Sequence, residues 1–227
     1  MTIRISEEWR NAYPDAHAGF LSMQGVHNPT NHPDLEGQKR KLERELRVAL
    51  AGPDPKTLET HAVLQAYASY YKKFGKTYHV RAQLESIVFK GKSLPNVAAL
   101  VEAMFMAEVK NLILTAGHDF DRLRTLVTVS VAHGSESYTL LKGQEQVLKS
   151  GDMYMADEGG VISSIVYGPD QRTQITAQTR SVLFAAYAPA GIEASVVLGH
   201  LQDIRDYVLI VSPDATVEML QVYGGSA

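Results

Sequence analysis

Two short segments of the chain concentrate groups able to do acid–base or ester chemistry. The first is Thr115-Ala-Gly-His-Asp-Phe-Asp121, directly after a long apolar stretch. Gly117 permits a sharp turn, so His118, Asp119 and Asp121 would emerge where helix gives way to strand. Three titratable groups in four residues suit holding a water or an ammonium group. A plain helix stop carrying solvated acids would show the same residues. The second segment is Ala156-Asp-Glu-Gly-Gly-Val161, continuing through Tyr167 to Thr179. Asp157 and Glu158 fall in a turn between strands. Asp170, Arg172, Thr173, Thr176 and Thr179 then fill a polar connection longer than a hairpin needs, and long ordered connections often serve function. The plainer alternative is a surface loop whose threonines make local backbone bonds.

Other chemistries find little support. With no cysteine, thiol nucleophiles, disulfide scaffolds and thiolate metal sites are excluded. Gly91-Lys92-Ser93 resembles the end of a phosphate loop, but Ser86 stands where the earlier glycine is required, so a turn after a helix is the better reading. Ser69-x-x-Lys72 has the spacing of penicillin-recognising enzymes without their later K-T-G. Eight histidines are spread without zinc spacing, so no metal and no cofactor are expected. The net charge of −3 conceals a division: residues 37–92 carry twelve Lys/Arg against five Asp/Glu, and the remainder carries ten against twenty. A basic quarter on an acidic remainder fits an anionic partner at one end and a cation-accepting pocket at the other, or simply a solvated lysine-rich helix.

The elements that must position these groups follow from periodicity. The early part of the chain reads as mostly helical. Asp34 can cap a helix through Leu42, Leu46 and Leu50, halted by Gly52-Pro53-Asp54-Pro55. Thr57 opens a second helix through Tyr67, Tyr70 and Tyr71, ended by Gly75. Helices are predicted over 80–89 and 96–114, the latter mostly apolar and therefore buried. Beyond Gly117 the pattern turns to period two, predicting strands over 126–132, 137–141, 153–156, 161–167 and 181–187, with a last helix over 192–209. Helices followed by strands argue an α+β fold, a mixed sheet core covered by helices with a basic helical N-terminal segment. One domain over 1–227 is expected, with a helical, basic part (1–75) and a pocket-bearing α+β core (76–227). No apolar run approaches the ~20 residues of a membrane span, and the start MTIRISEEWRNAYP lacks a secretory apolar region. A cytoplasmic protein without a membrane partner is the expectation.

Taken in order, the motifs resemble a known family. Arg81-x-x-x-Glu85, Lys90-Gly-Lys-Ser-Leu-Pro-Asn96, an apolar helix with Asn111, Gly117-His-Asp-Phe-Asp121, Gly151-Asp-Met-Tyr-Met-Ala-Asp-Glu158 and Asp170-Gln-Arg-Thr-x-Ile-Thr-x-x-Thr179 are similar to the tRNA-editing domain of phenylalanyl-tRNA synthetase beta chains. The likeness runs from about Tyr67 to Pro189, and the basic helices before it resemble the free-standing form, which includes deacylases that clear canavanine from arginine tRNA. The resemblance implies a pocket between helical and strand halves and hydrolysis of the ester joining a wrong amino acid to the tRNA's terminal adenosine. It implies that His118 orients water or acts as base, with Asp119 as its partner. Asn111, Asp157, Glu158 and Asp170 would meet the α-ammonium or side chain; Thr173, Thr176 and the Gly159 and Gly160 amides would meet the ester or ribose. Lys39, Arg40, Lys41, Arg44, Arg47, Lys72, Lys73, Lys76 and Arg81 would track tRNA phosphates, with Tyr70, Tyr71 and Tyr78 stacking on bases. In the synthetase an acid on the strand after the threonine motif reads the phenol of tyrosine; here Ser181-Val-Leu-Phe-Ala-Ala-Tyr187 holds no acid, so a different substrate is expected. The partner would be tRNA, not DNA. A non-catalytic RNA or small-molecule binding module of the same fold is the alternative, and a metal hydrolase is disfavoured.

Overall fold

In the computed structural model of the chain, residues 1–50, 58, 60–124 and 126–224 are described. Three sheets and six helices make up these residues. The first sheet runs β1 (Thr2–Ile5), β4 (Leu126–Val131), β7 (Met153–Asp157), β8 (Gly160–Ser164) and β9 (Gly168–Pro169). The second runs β11 (Thr216–Gly224), β2 (His17–Gln24), β10 (Ser181–Ala188) and β3 (Thr115–Asp119), and β5 (Ser137–Thr139) pairs with β6 (Glu145–Val147). All pairings are antiparallel except β1 with β4, which is parallel in the register Thr2↔Leu126. The fold is α+β, as the sequence predicts.

The N-terminal part departs from the helical expectation. The first 24 residues contribute β1, a short helix α1 (Glu7–Ala12) capped by Ser6, and the interior strand β2. Six consecutive residues of β2 are buried, because neighbours cover both edges and a helix covers one face. That helix is α6 (Ala194–Val211); a Cβ on Gly19 would come within 2.5 Å of Val197 Cγ1, so glycine lets helix and sheet approach. Helix α2 (Pro33–Leu50) places proline in its first turn, where the missing N–H costs nothing. The predicted stop at residues 52–55 and the start at Thr57 lie outside the described residues. Helix α3 (Ala62–Lys72) follows, with Gly75 left-handed beyond it at φ 65°. Helices α4 (His79–Val88) and α5 (Ala99–Asn111) match their predicted spans to within three residues at each end.

One continuous core joins both larger sheets, including Val129, Met155 and Ile162 from one and Phe20, Phe184 and Tyr187 from the other. Tyr67, Tyr70 and Tyr71 of α3, with Tyr78 at the start of α4, pin it. Tyr67 and Tyr78 stack at 4.1 Å, Tyr71 donates to the Ile165 carbonyl at 2.6 Å, and Tyr78 to the Leu112 carbonyl at 2.9 Å. Tyr70 donates to Asp152 at 2.8 Å while accepting the Met153 N–H. Tyr70, Tyr71 and Tyr78 are therefore buried, and the expectation that they stack on bases is corrected. No helix among the described residues is long and apolar enough to cross a membrane.

Candidate active site

The site grows from the junction of α5 and β3. Helix α5 ends at Leu112, the only described non-glycine residue with positive φ (60°), and that left-handed residue turns the chain into an edge strand. Thr115–Asp119 is thus strand, not the sharp turn predicted, and every residue of it is buried. Gly117 lies within β3, where a Cβ would meet Ile175 Cδ1 at 2.8 Å and Met104 Sδ at 3.4 Å, so its small size admits the 170–180 connection against the strand.

Between α5, β3, the β8–β9 corner and that connection lies a cavity of 410 Å³. Its walls are largely apolar: Val101, Met104, Phe105, Leu114, Ile165, Val166 and Ile175. The partly or fully exposed residues His79, Leu141, Tyr167, Pro169 and Gln174 form its mouth, whereas Glu108, Thr115, Ala116, Ser164 and Tyr187 are buried at its floor. Glu108 comes from the last turn of α5 and accepts the Thr115 N–H at 2.8 Å. Burial pushes its carboxyl pKa up to about 8, the Thr115 N–H pulling back only in part. Thr115 Oγ1 lies 2.6 Å from Nε2 of His200, a buried residue of α6 whose pKa burial lowers to about 3. Nδ1 of the same ring lies 3.4 Å from the side-chain nitrogen of Asn111. At the mouth, His79 packs its ring on Tyr78 at 5.8 Å, and desolvation lowers its pKa.

None of the candidate catalytic or substrate-binding residues lines this cavity, although Thr115 and Gly117 of the first segment do; Gly159, Gly160, Asp170 and Arg172 border a separate hollow of 340 Å³. His118 is fully buried on β3, and its Nδ1 lies 2.7 Å from Thr173 Oγ1. The Thr173 hydroxyl itself donates to Asp170, which also accepts the Thr173 N–H at 3.1 Å. His118 must then donate from Nδ1, leaving Nε2 as a buried acceptor with no partner. Burial, with the Arg172 charge adding, pushes its pKa down to about 3. Its expected partner, Asp119, instead accepts from Thr179 Oγ1 at 2.7 Å and from the Asp121 N–H at 3.2 Å. The His118–Asp119 pairing is corrected to a His118–Thr173–Asp170 chain. Asp157 is buried against Arg172 Nη2 (2.6 Å) and takes the Arg124 and Gly159 N–H groups, so its acceptor capacity is spent on the β7–β8 turn. Glu158 is exposed in that turn. Asn111 donates to Asp203 at 2.8 Å on the far side of α5, and the Thr176 carbonyl accepts from Asn28 at 2.9 Å. The 115–121 segment reaches the cavity through Thr115, Ala116 and Gly117, not through His118, Asp119 or Asp121.

The basic residues divide as well. Lys39 is corrected from phosphate contact to internal anchor: its ammonium is buried and bonded to Asn96, Glu102 (3.0 Å) and Glu36 (2.7 Å). Arg47 donates to the Ile87 and Lys92 carbonyls at 3.1 Å. Arg40, Lys41 and Arg44 are exposed on α2, Arg40 pairing with Glu36 at 3.0 Å and Lys41 facing Glu45 at 3.9 Å. Lys72 and Lys76 line a depression with Arg81, which pairs with Glu85 at 2.9 Å; Lys73 and Lys76 lie over the rings of Tyr13 and Tyr167.

Three hollows form a chain. A concavity of 550 Å³, lined by Arg40, Arg44 and Arg47 together with Glu36 and Glu43, shares Ser93 and Leu94 with an apolar cleft of 340 Å³. That cleft shares His79 and Phe105 with the main cavity.

The sequence profile of the B3/4 domain matches residues 63–199, which span α3 through the first turns of α6. The chain belongs to the B3/4 domain family. It is thereby a relative of the editing domain of phenylalanyl-tRNA synthetase beta chains, the family indicated by its motif order. The fold is similar to that of an N-terminal fragment of the phenylalanyl-tRNA synthetase beta-subunit from Pyrococcus horikoshii, with 12% identity and a TM-score of 0.50. That match covers 95% of this chain and 50% of the fragment, so this B3/4 protein spans half the length of its structural neighbour. No curated protein matches the chain.

Proposed function

We propose that the chain is a trans-acting aminoacyl-tRNA deacylase, hydrolysing the ester between a wrong amino acid and the 3′ end of a tRNA, with canavanyl-tRNA(Arg) as the candidate substrate. The observation that carries this reading is a row of hollows sharing lining residues: an arginine-lined concavity, an apolar cleft and a cavity of amino-acid size with an exposed mouth. Membership in the B3/4 family supports it. The absence of an acid on β10 and the presence of Glu108 at the floor favour a basic side chain over tyrosine.

An aminoacyl ester is reactive enough that positioned water and donors near the developing oxyanion supply much of the acceleration. With the side chain at the floor, the ester carbon lies at the mouth beside His79, Gln174 and Tyr167. We assign the water-orienting role expected of His118 to His79. Its lowered pKa keeps the imidazole neutral at pH 7, so it can take a proton as the water oxygen adds to the carbonyl carbon. The ester C–O bond then breaks and the ribose oxygen takes a proton, the vicinal hydroxyl assisting. His118 acts as a positioning residue, fastening β3 to the 170–175 segment that walls the cavity.

Incubation of the protein with tRNAs charged with canavanine, tyrosine and cognate amino acids tests the reading. Release from at least one mischarged species is expected, and His79→Ala should slow it by about 10²-fold with tRNA binding intact. No release above the buffer rate from any of them, with tRNA still bound, would leave only a binding module.

A further inference from the structure

Glu108 is the feature with no structural partner to explain its charge. It stands in a helix that is otherwise apolar on this side, between Ala107 and Val109, and no ion pair to it occurs among the described residues. A buried carboxyl without a cation is costly. Its one backbone bond, from the Thr115 N–H, would be made equally well by the neutral amide of glutamine. The second acceptor at the floor is Thr115. Its hydroxyl is held 2.6 Å from Nε2 of His200, and in either tautomer of that ring the oxygen keeps a lone pair for a donor in the cavity. Two acceptors thus converge beneath aliphatic walls, at the end furthest from the mouth.

We propose that Glu108 and the Thr115 hydroxyl oxygen form the seat for a basic nitrogen at the end of the ligand's side chain, making Glu108 the specificity-determining residue of the cavity. The proposal rests on the reading of this cavity as an amino-acid pocket. An aliphatic stem would lie along Met104, Leu114 and Ile165, with an amine or guanidine-type nitrogen donating to both oxygens. A proton balance follows from the burial of the carboxyl. An empty cavity holds Glu108 protonated at neutral pH. A permanently charged guanidinium must displace that proton to solvent, whereas a less basic nitrogen can leave the proton on the carboxyl and accept or share it. The seat therefore penalises a guanidinium more the further the pH lies below about 8. This is a means by which a cognate basic amino acid is spared while a weaker base is held.

The test uses binding alone, so it stands or falls separately from hydrolysis. Full-length protein and Glu108→Gln are titrated calorimetrically with L-argininamide and with L-norleucinamide, which has the same α-amine on an apolar side chain, from pH 6 to 9. The ratio of the two affinities cancels the α-amine. In the parent protein the preference for argininamide should rise about tenfold per pH unit up to about pH 8 and then level. In Glu108→Gln it should be flat with pH and at least tenfold smaller at pH 9. Thr115→Val should lower the preference at every pH, and Thr115→Ser should restore it. An unchanged preference and slope in Glu108→Gln, confirmed folded by circular dichroism, would overturn the proposal. So would a parent protein that shows no preference for argininamide at pH 9. Release of amino acid from tRNA with no such preference would sink the seat and keep the deacylase; the preference without release would do the reverse.

Discussion

The buried carboxyl of Glu108 makes the stability of the fold depend on pH in a way that one substitution isolates. In the unfolded chain this group titrates at its ordinary value of 4.5, and in the folded protein at about 8. Between those values the unfolded state is ionised while the folded state holds its proton, so folding takes up a proton and stability falls as pH rises. Each pH unit removes about 1.4 kcal/mol, so the loss across the window approaches about 4 to 5 kcal/mol and is complete above pH 8. Glu108→Gln keeps the side-chain shape and the oxygen that receives the Thr115 N–H, and removes only the titration. The difference in unfolding free energy between variant and parent, measured by urea denaturation at each pH, should therefore grow in the variant's favour by about 4 kcal/mol from pH 4 to pH 9. Two buried histidines act in the opposite sense: His118 and His200 fall to about 3, so both make stability rise with pH from about 3 to 6.5. They are common to both proteins and cancel in the difference. A flat difference across the range would mean that Glu108 ionises near its ordinary value, refuting the argument that the cavity floor holds a neutral carboxyl.

Two further perturbations separate internal from external roles. Lys39→Met should destabilise the fold by about 3 to 5 kcal/mol, because it leaves the buried Glu102 carboxylate unpaired; Arg44→Ala should leave the melting temperature unchanged and lower the log–log salt slope of tRNA binding by about one. Equal thermal stability of the two variants would refute the division. Tyr67→Phe removes the hydroxyl that donates to the Tyr187 carbonyl and accepts the Leu114 N–H at 2.9 Å; a cost of about 1 to 3 kcal/mol is expected in thermal denaturation, and a neutral substitution would contradict the bond pair.

How much of this was legible depends on what each residue pays attention to locally. Helices α4, α5 and α6 and strands β4, β7 and β10 carry their periodicity in their own residues, and the sequence locates them. Strand β2 (HAGFLSMQ) does not, because a strand covered on both edges and packed by a helix shows no clean alternation. Strand β3 (TAGHD) has almost no β propensity. It is strand because Val182–Ala186 of β10 pair with it and the Glu108 carboxylate catches its first N–H. That misreading also turned the site inside out. With 115–119 extended, Thr115 and His118 point to opposite faces, so the histidine that looked catalytic enters the His118–Thr173–Asp170 chain while the threonine reaches the cavity. Glu108 had a signal, a lone acid in AMFMAEV, but a solvated turn of helix carries acids just as readily.

The basic quarter of the chain is where sequence and structure combine into one mechanical statement. The charge division suggested an anion-binding end and a cation-accepting pocket; it gave no sign that one of the lysines would tie two helices together. Lys39 projects from α2, the helix that exposes Arg40, Lys41 and Arg44, and its ammonium is buried against Glu102 of α5, the helix that also supplies Glu108. Glu102 in turn receives the Val97 N–H at 2.9 Å, Lys39 reaches Asn96, and Glu43 of α2 takes the Leu94 N–H at 2.7 Å, so the 94–97 segment between the hollows is tied to both helices. Surface pairs such as Lys41–Glu45 contribute little, but a buried pair with its remaining hydrogen bonds satisfied fixes geometry. The helix that exposes Arg40, Lys41 and Arg44 and the helix that supplies Glu108 are thus tied together by buried bonds. On the proposed deacylase reading, these bonds would set the distance from the exposed arginines of α2 to the seat at Glu108, so that a tRNA held at α2 would bring its ester to the cavity mouth.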